Sequence, residues 1–145
     1  MPRQDSQSLR ALELRNSLSE LDTVRRKLEE FGTSLGLSKK GIFQINLAME
    51  EVFSNIISYA YTNNREHWIT VTISHEKDTL VLRIEDDGIP FNPCEVETPD
   101  LECALEEREI GGLGCYLMRC CMDYIAYERR GNRNVLTMRK TIEKS

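Results

Sequence analysis

Glu51 and Asn55 lie four residues apart in Asn46-Leu47-Ala48-Met49-Glu50-Glu51-Val52-Phe53-Ser54-Asn55-Ile56-Ile57. On a helix that spacing stacks the two side chains on one face, one turn apart. A carboxylate there can accept a proton from an attacking hydroxyl. A carboxamide oxygen can ligate a hard cation such as magnesium, which keeps several waters and needs few protein ligands when phosphates are present. An isolated pair of this kind is more often a solvated helix face, so its meaning depends on what accompanies it.

Two later stretches accompany it. Asp86-Asp87-Gly88-Ile89-Pro90 ends an alternating apolar run, and Asp86 continues the inward series of Leu80, Leu82 and Ile84. An inward carboxylate needs hydrogen-bond donors, and an exocyclic amine is one; an ordinary turn is the competing reading. Gly111-Gly112-Leu113-Gly114 directly precedes a helical pattern with Leu117, Cys121 and Tyr124 on one side. Glycines opening a helix let backbone N–H groups approach an anion.

The elements that must position these residues are legible in the periodicity. Leu9 to Arg15 partly alternates and reads as a first strand. A helix follows from Leu18 or Ser19 to about Ser34, with Leu21, Val24, Leu28 and Phe31 as its stripe. Gly36 reads as its stop and Ser38 as the cap of the central helix, which runs to about Tyr61. Its stripe is Ile42, Ile45, Met49, Val52, Phe53, Ile56 and Ile57. His67 to Ser74 and Thr79 to Glu85 form a hairpin turning at Glu76-Lys77-Asp78, and Asp123 to Arg129 and Asn134 to Thr141 form another turning at Arg130-Gly131-Asn132. Between Ile89 and Ile110 no period persists, and from Cys94 onward that segment carries seven acids and one base, Arg108. A stretch of that length is a functional lid or a surface loop.

The chain has 145 residues, 40% hydrophobic and 30% charged, which fits one soluble domain. A net charge of -5 argues against a general nucleic-acid or anionic-membrane binder. No apolar run reaches membrane-span length, and Met1 to Arg10 has no signal-peptide core. The five cysteines lack metal-ligand spacing and are odd in number, which fits reduced thiols in a cytoplasm.

In this order, the three motifs resemble the ATP-binding domain of gyrase, histidine kinases, heat-shock chaperones and mismatch-repair ATPases, the GHKL or Bergerat fold. The chain looks most like the small anti-sigma factor serine kinases, over about Leu9 to Lys140. The resemblance implies a two-layer α/β sandwich, a mostly antiparallel sheet with helices on one face, forming a single domain over 1–145 with an ATP lid at about 89–110. It implies that Asn55 ligates magnesium on the ATP phosphates and that Glu51 is the general base. Asp86 then holds the adenine amine, and Gly88 allows close packing of the base. Gly112 and Gly114 shape the phosphate side, Arg108 reaches the terminal phosphate, and Thr137 supports the base or phosphate side. Two departures stand out: Tyr59 where the family often has His, and Pro90 for the second Gly of the D-x-G-x-G box.

The function implied is a protein serine/threonine kinase that uses ATP and Mg2+. Its substrate would be a STAS-like anti-anti-sigma protein, and it would control a sigma factor by partner switching. The alternative is a non-catalytic, nucleotide-gated binding module for a sigma factor or other regulator. Neither reading involves direct nucleic-acid or membrane contact, and both are compatible with a homodimer, as among relatives. An intact Glu51 favours the enzyme, because nucleotide sensing alone needs no base.

Overall fold

The computed structural model describes residues 10–61, 66–92 and 121–142. The chain opens with strand β1 (Arg10–Arg15) and a single 3-10 turn (Leu18–Glu20). Helices α1 (Leu21–Ser34) and α2 (Lys39–Asn55) come next. Hairpin β2 (Trp68–Glu76) and β3 (Thr79–Asp86) and hairpin β4 (Tyr124–Arg130) and β5 (Arg133–Thr141) complete the described elements. The five strands form one antiparallel sheet in the order β1-β2-β3-β5-β4. Both helices lie on one face, so the architecture is the two-layer α+β sandwich expected from the sequence.

Local chemistry explains the helix junction. Gly36 takes φ +86° after α1. Gly36 N–H bonds the Thr33 carbonyl at 3.1 Å, and Leu37 N–H bonds the Gly32 carbonyl at 2.9 Å. This pair of bonds satisfies carbonyls that the helix end leaves unpaired. Two residues on, Ser38 Oγ accepts from Gly41 N–H at 3.1 Å and caps α2. The short link turns α2 back against α1. Val24, Leu28 and Phe31 then share one core with Ile45, Met49, Val52 and Phe53.

The sheet supplies the other half of that core. Ile69, Val71 and Ile73 of β2, Leu80, Leu82 and Ile84 of β3, and Leu136 and Met138 of β5 are all buried on the helix side. The same alternation carries Asp86 inward, where it is 2% exposed. It carries Thr137 the other way: Thr137 pairs with Arg83 and Ala126 on the open face of the sheet.

Three boundaries differ from the sequence expectation. The α-helical part of the central helix stops at Asn55, and a π turn spans Ile56–Ala60. Both hairpins turn on two residues, Lys77-Asp78 and Gly131-Asn132, because Glu76 pairs with Thr79 and Arg130 with Arg133. Two-residue loops with positive φ match the twist of the flanking strands, and Lys77 and Gly131 take φ +55° and +59°. The expected lid beyond Asn92, with Arg108, and the Gly111-Gly112-Leu113-Gly114 stretch lie outside the described residues.

Gly88 and Gly131 are glycines for different reasons. A Cβ at Gly88 would run into the Ala60 carbonyl oxygen and come within 2.8 Å of the Ala60 Cβ, whereas one at Gly131 would meet nothing within 4 Å. Gly88→Ala is therefore expected to cost about 1–3 kcal/mol through backbone displacement. Gly131→Ala is expected to cost about 1 kcal/mol through left-handed strain alone. Urea denaturation of the two variants checks the ranking, and equal midpoints would contradict it.

Candidate functional site

The helix side of the site starts with a cost. Glu51 is 5% exposed and Asn55 2%, yet both lie on the apolar helix α2. Glu51 Oε1 is buried and has no hydrogen-bond partner among the described residues. Burial raises the Glu51 pKa above the ordinary carboxylate value, and the neighbouring Glu50 charge raises it further. A buried carboxyl oxygen without a donor is expensive. Packing alone gives no reason to keep it, whereas a base or an oxygen ligand for a cation does. Asn55 is the last α-helical residue, and the wide turn Ile56–Ala60 begins immediately after it.

The strand side is built around Asp86. Its Oδ1 accepts from Gly88 N–H at 2.8 Å and from Asn134 Nδ2–H at 2.9 Å. Burial raises the Asp86 pKa; the Asn134 and Gly88 bonds pull it back, the nearby Asp87 charge adds to the rise, and Arg129 opposes it. Asn134, itself 2% exposed, donates a second bond to the Ile89 carbonyl at 2.8 Å. Its Oδ1 accepts from Phe91 N–H at 3.1 Å, Tyr127 Oη at 2.5 Å and Arg129 Nη1 at 3.1 Å. Arg129 Nη1 also bonds the Gly88 carbonyl at 2.9 Å.

A backbone hydrogen bond joins the two sides. Ile89 N–H donates to the Ala60 carbonyl at 2.8 Å, so the turn after β3 is tied to the end of the central helix. The closeness of Gly88 to Ala60 is part of the same seam, which gives that glycine a structural task apart from any ligand. Around it, Tyr61 stacks on His67 at 4.3 Å between ring centroids, and His67 Nδ1 lies 3.4 Å from Asp87 Oδ1. Burial, with the Asp86 and Asp87 charges, raises the Tyr61 pKa, so the phenol stays neutral. Tyr59, noted above as a departure from the family's frequent His, is half exposed and packs its ring 5.6 Å from Phe91 between centroids.

Four of the sequence-derived residues thus fall on the helix-facing side of the sheet: Glu51 and Asn55 from α2, Asp86 and Gly88 from the end of β3. Thr137 does not join them, since strand parity points it to the opposite face. Arg108, Gly112 and Gly114 lie outside the described residues. Sequence reasoning missed Asn134, Arg129 and Tyr127. Asn134 carried a usable signal: it shares parity with Leu136 and Met138 and falls opposite Asp86 in the β3–β5 register. A polar residue at an inward position beside an inward carboxylate is a pair to look for.

Residues 14–140 match the model of the histidine kinase-like ATPase domain. A serine/threonine-protein kinase, BtrW, of Bordetella bronchiseptica is 32% identical over 96 residues, which are 66% of this chain and 68% of that one. A serine-protein kinase, RsbW, of Listeria monocytogenes is 28% identical over 103 residues, covering 68% of this chain and 66% of its own length. The match thus spans slightly less than two thirds of the Listeria protein. A solved Mycobacterium tuberculosis structure of RsbU and RsbW domains superposes with a TM-score of 0.69 over 96% of this chain. It covers 34% of that chain at 14% identity, a likeness of fold.

The electrostatics of Glu51 have a consequence for stability. Its folded pKa lies above the unfolded one, so the group favours the folded state in acid and loses that contribution as pH rises through the folded value. Glu51→Gln removes the ionisation. The variant is expected to be more stable than the parent at neutral pH by about 0.5–2 kcal/mol, a few degrees in Tm. The gap should close toward pH 4. Thermal melts across pH check this; a gap independent of pH would show that Glu51 burial is not its source.

Proposed function

We propose that this chain, which belongs to the histidine kinase-like ATPase domain family, is an ATP-dependent protein serine/threonine kinase. Its substrate on this reading is a STAS-type anti-anti-sigma protein, and the outcome is control of a sigma factor by partner switching. The observation that carries the kinase reading is Glu51: a buried carboxyl oxygen with no partner among the described residues, one helical turn from Asn55. The kinase names of the Bordetella and Listeria relatives support it. The STAS-type substrate rests on the resemblance to the small anti-sigma factor kinases.

The proposed roles follow from the chemistry of each side chain. Asp86 receives the adenine amino group. Its Oδ1 is already engaged by Gly88 and Asn134, so the second oxygen serves the base. Asn55 offers a carboxamide oxygen to the metal ion that accompanies the phosphates. The donor set fits magnesium, because both side chains present hard oxygens and Glu51 Oε1 has no described partner. Among the described residues no group of three or more His, Cys, Asp or Glu is placed to hold a metal ion, and magnesium on a nucleotide needs few protein ligands. When bound, magnesium supplies charge neutralisation on the phosphates. Glu51 takes the proton from the incoming serine or threonine hydroxyl, and its raised pKa brings it nearer the working pH, where a general base is most effective. Gly112 and Gly114 are assigned to the phosphate side, and Arg108 to the terminal phosphate, as the resemblance implies.

Two substitutions separate binding from chemistry. Glu51→Gln is expected to keep ATP affinity within a few-fold and to lower phosphotransfer by about 10²–10⁴. Asp86→Asn keeps an oxygen for Gly88 and Asn134 but turns the second atom into a donor facing an amine. It is expected to weaken ATP binding by about 10–100-fold, the effect of losing one charge-assisted hydrogen bond. Titration calorimetry and a transfer assay to a STAS-type acceptor read the two effects. Transfer by Glu51→Gln at the parent rate would remove the base assignment and favour a nucleotide-gated binding module.

A further inference from the structure

We propose that Asn134 is the positioning residue of the nucleotide site: its carboxamide locks the Asp86 carboxylate and the Gly88–Phe91 turn in one orientation, with Arg129 as its anchor. The proposal rests on the nucleotide-binding reading above and assigns a task to a residue that neither touches the nucleotide nor takes part in the transfer.

The carboxamide is saturated. An amide nitrogen has two hydrogens, and Asn134 Nδ2 uses them on Asp86 Oδ1 at 2.9 Å and the Ile89 carbonyl at 2.8 Å. An amide oxygen has two lone pairs, yet Asn134 Oδ1 already receives Phe91 N–H, Tyr127 Oη and Arg129 Nη1. Asn134 therefore has no donor or acceptor capacity to offer a ligand and acts through Asp86. The network also fixes which end is nitrogen: the Asp86 carboxylate and the Ile89 carbonyl on one side can only accept, and Phe91 N–H and Arg129 on the other can only donate, so a flipped amide would oppose four of the five contacts.

The register places this bridge where it controls the site. Asn134, the second residue of β5, faces Asp86 across the β3–β5 ladder, and Arg129 and Tyr127 reach it from β4. Arg129 Nη1 holds both Asn134 Oδ1 and the Gly88 carbonyl. Without the amide, Asp86 Oδ1 keeps only the Gly88 N–H among the described residues, and the Ile89 carbonyl and the Phe91 N–H lose a side-chain partner. The carboxylate then has rotational freedom that a bound base must remove.

Exchange of one atom tests this. In Asn134→Asp the nitrogen becomes an oxygen beside Asp86, and two carboxyls at that distance share a proton. Among the described residues, the other titratable or charged groups facing Asp86 are Asp87, Tyr61 and Arg129. With the proton present, the bridge to Asp86 is restored; without it, the two carboxylates repel. Calorimetric ATP titration of the full chain is expected to show Asn134→Asp within a few-fold of the parent at pH 6 and at least 10-fold weaker by pH 8.5. Asn134→Ala should be weaker than the parent by about 10-fold or more at both pH values. A scaffold-only role predicts no such pH-dependent rescue. Parent-like affinity in both variants, or an Asn134→Asp profile parallel to that of the parent, overturns the proposal. If the parent binds no ATP, the nucleotide reading fails, and the bridge is read separately by carboxyl-carbon NMR. There the Asp86 titration midpoint is expected to move up in Asn134→Ala, and an unmoved midpoint overturns the proposal.

Discussion

A carboxylate placed inside a protein has to be answered by donors, and Asp86 imposes that condition on the structure around it. β3 delivers it to the helix side of the sheet by strand parity alone. The chain must then turn sharply enough for Gly88 N–H to reach back to it, and β5 must carry near its start a residue that can donate from across the ladder. Asn134 meets the second condition and then has to be satisfied itself, which brings in Tyr127, Arg129 and the backbone at Ile89 and Phe91. The turn that results presses on Ala60, leaving no space for a side chain at Gly88. One buried charge thus determines residue choice on β3, β4, β5 and the end of the central helix.

The helix side is organised on the opposite principle. Where Asp86 is surrounded by donors, Glu51 has an oxygen that no described residue answers. The first arrangement fixes an orientation, and the second leaves a buried acidic oxygen unanswered among the described residues. Both carboxyls have raised pKa values from burial, but only at Asp86 do hydrogen bonds offset the rise. Stability is given up at Glu51 and partly recovered at Asp86, where two hydrogen bonds answer the buried oxygen.

Much of this was legible in the sequence because the patterns are short and periodic. The stripe of α2 placed Glu51 and Asn55 together, and the alternation of β3 turned Asp86 inward. Gly36 and Ser38 marked the helix junction, since each meets a need of a helix end that few residues meet. Other features escaped because they depend on register between distant strands. Thr137 and Asn134 are three residues apart on β5, so they face opposite sides, and which one meets Asp86 is decided by pairing with β3. Turn length was misjudged for the same reason, since only pairing shows that Glu76 and Arg130 still belong to strands. The π turn at Ile56–Ala60 leaves no mark in hydrophobic periodicity.

The central claim is that Asp86, Asn55 and Glu51 serve one nucleotide. Calorimetric titration of the purified chain with ATP, with and without magnesium, tests it most directly. Saturable binding that strengthens when magnesium is present is the expected result. Absence of heat at millimolar ATP under both conditions would contradict the account, leaving the buried carboxyls as features of a fold that serves another purpose.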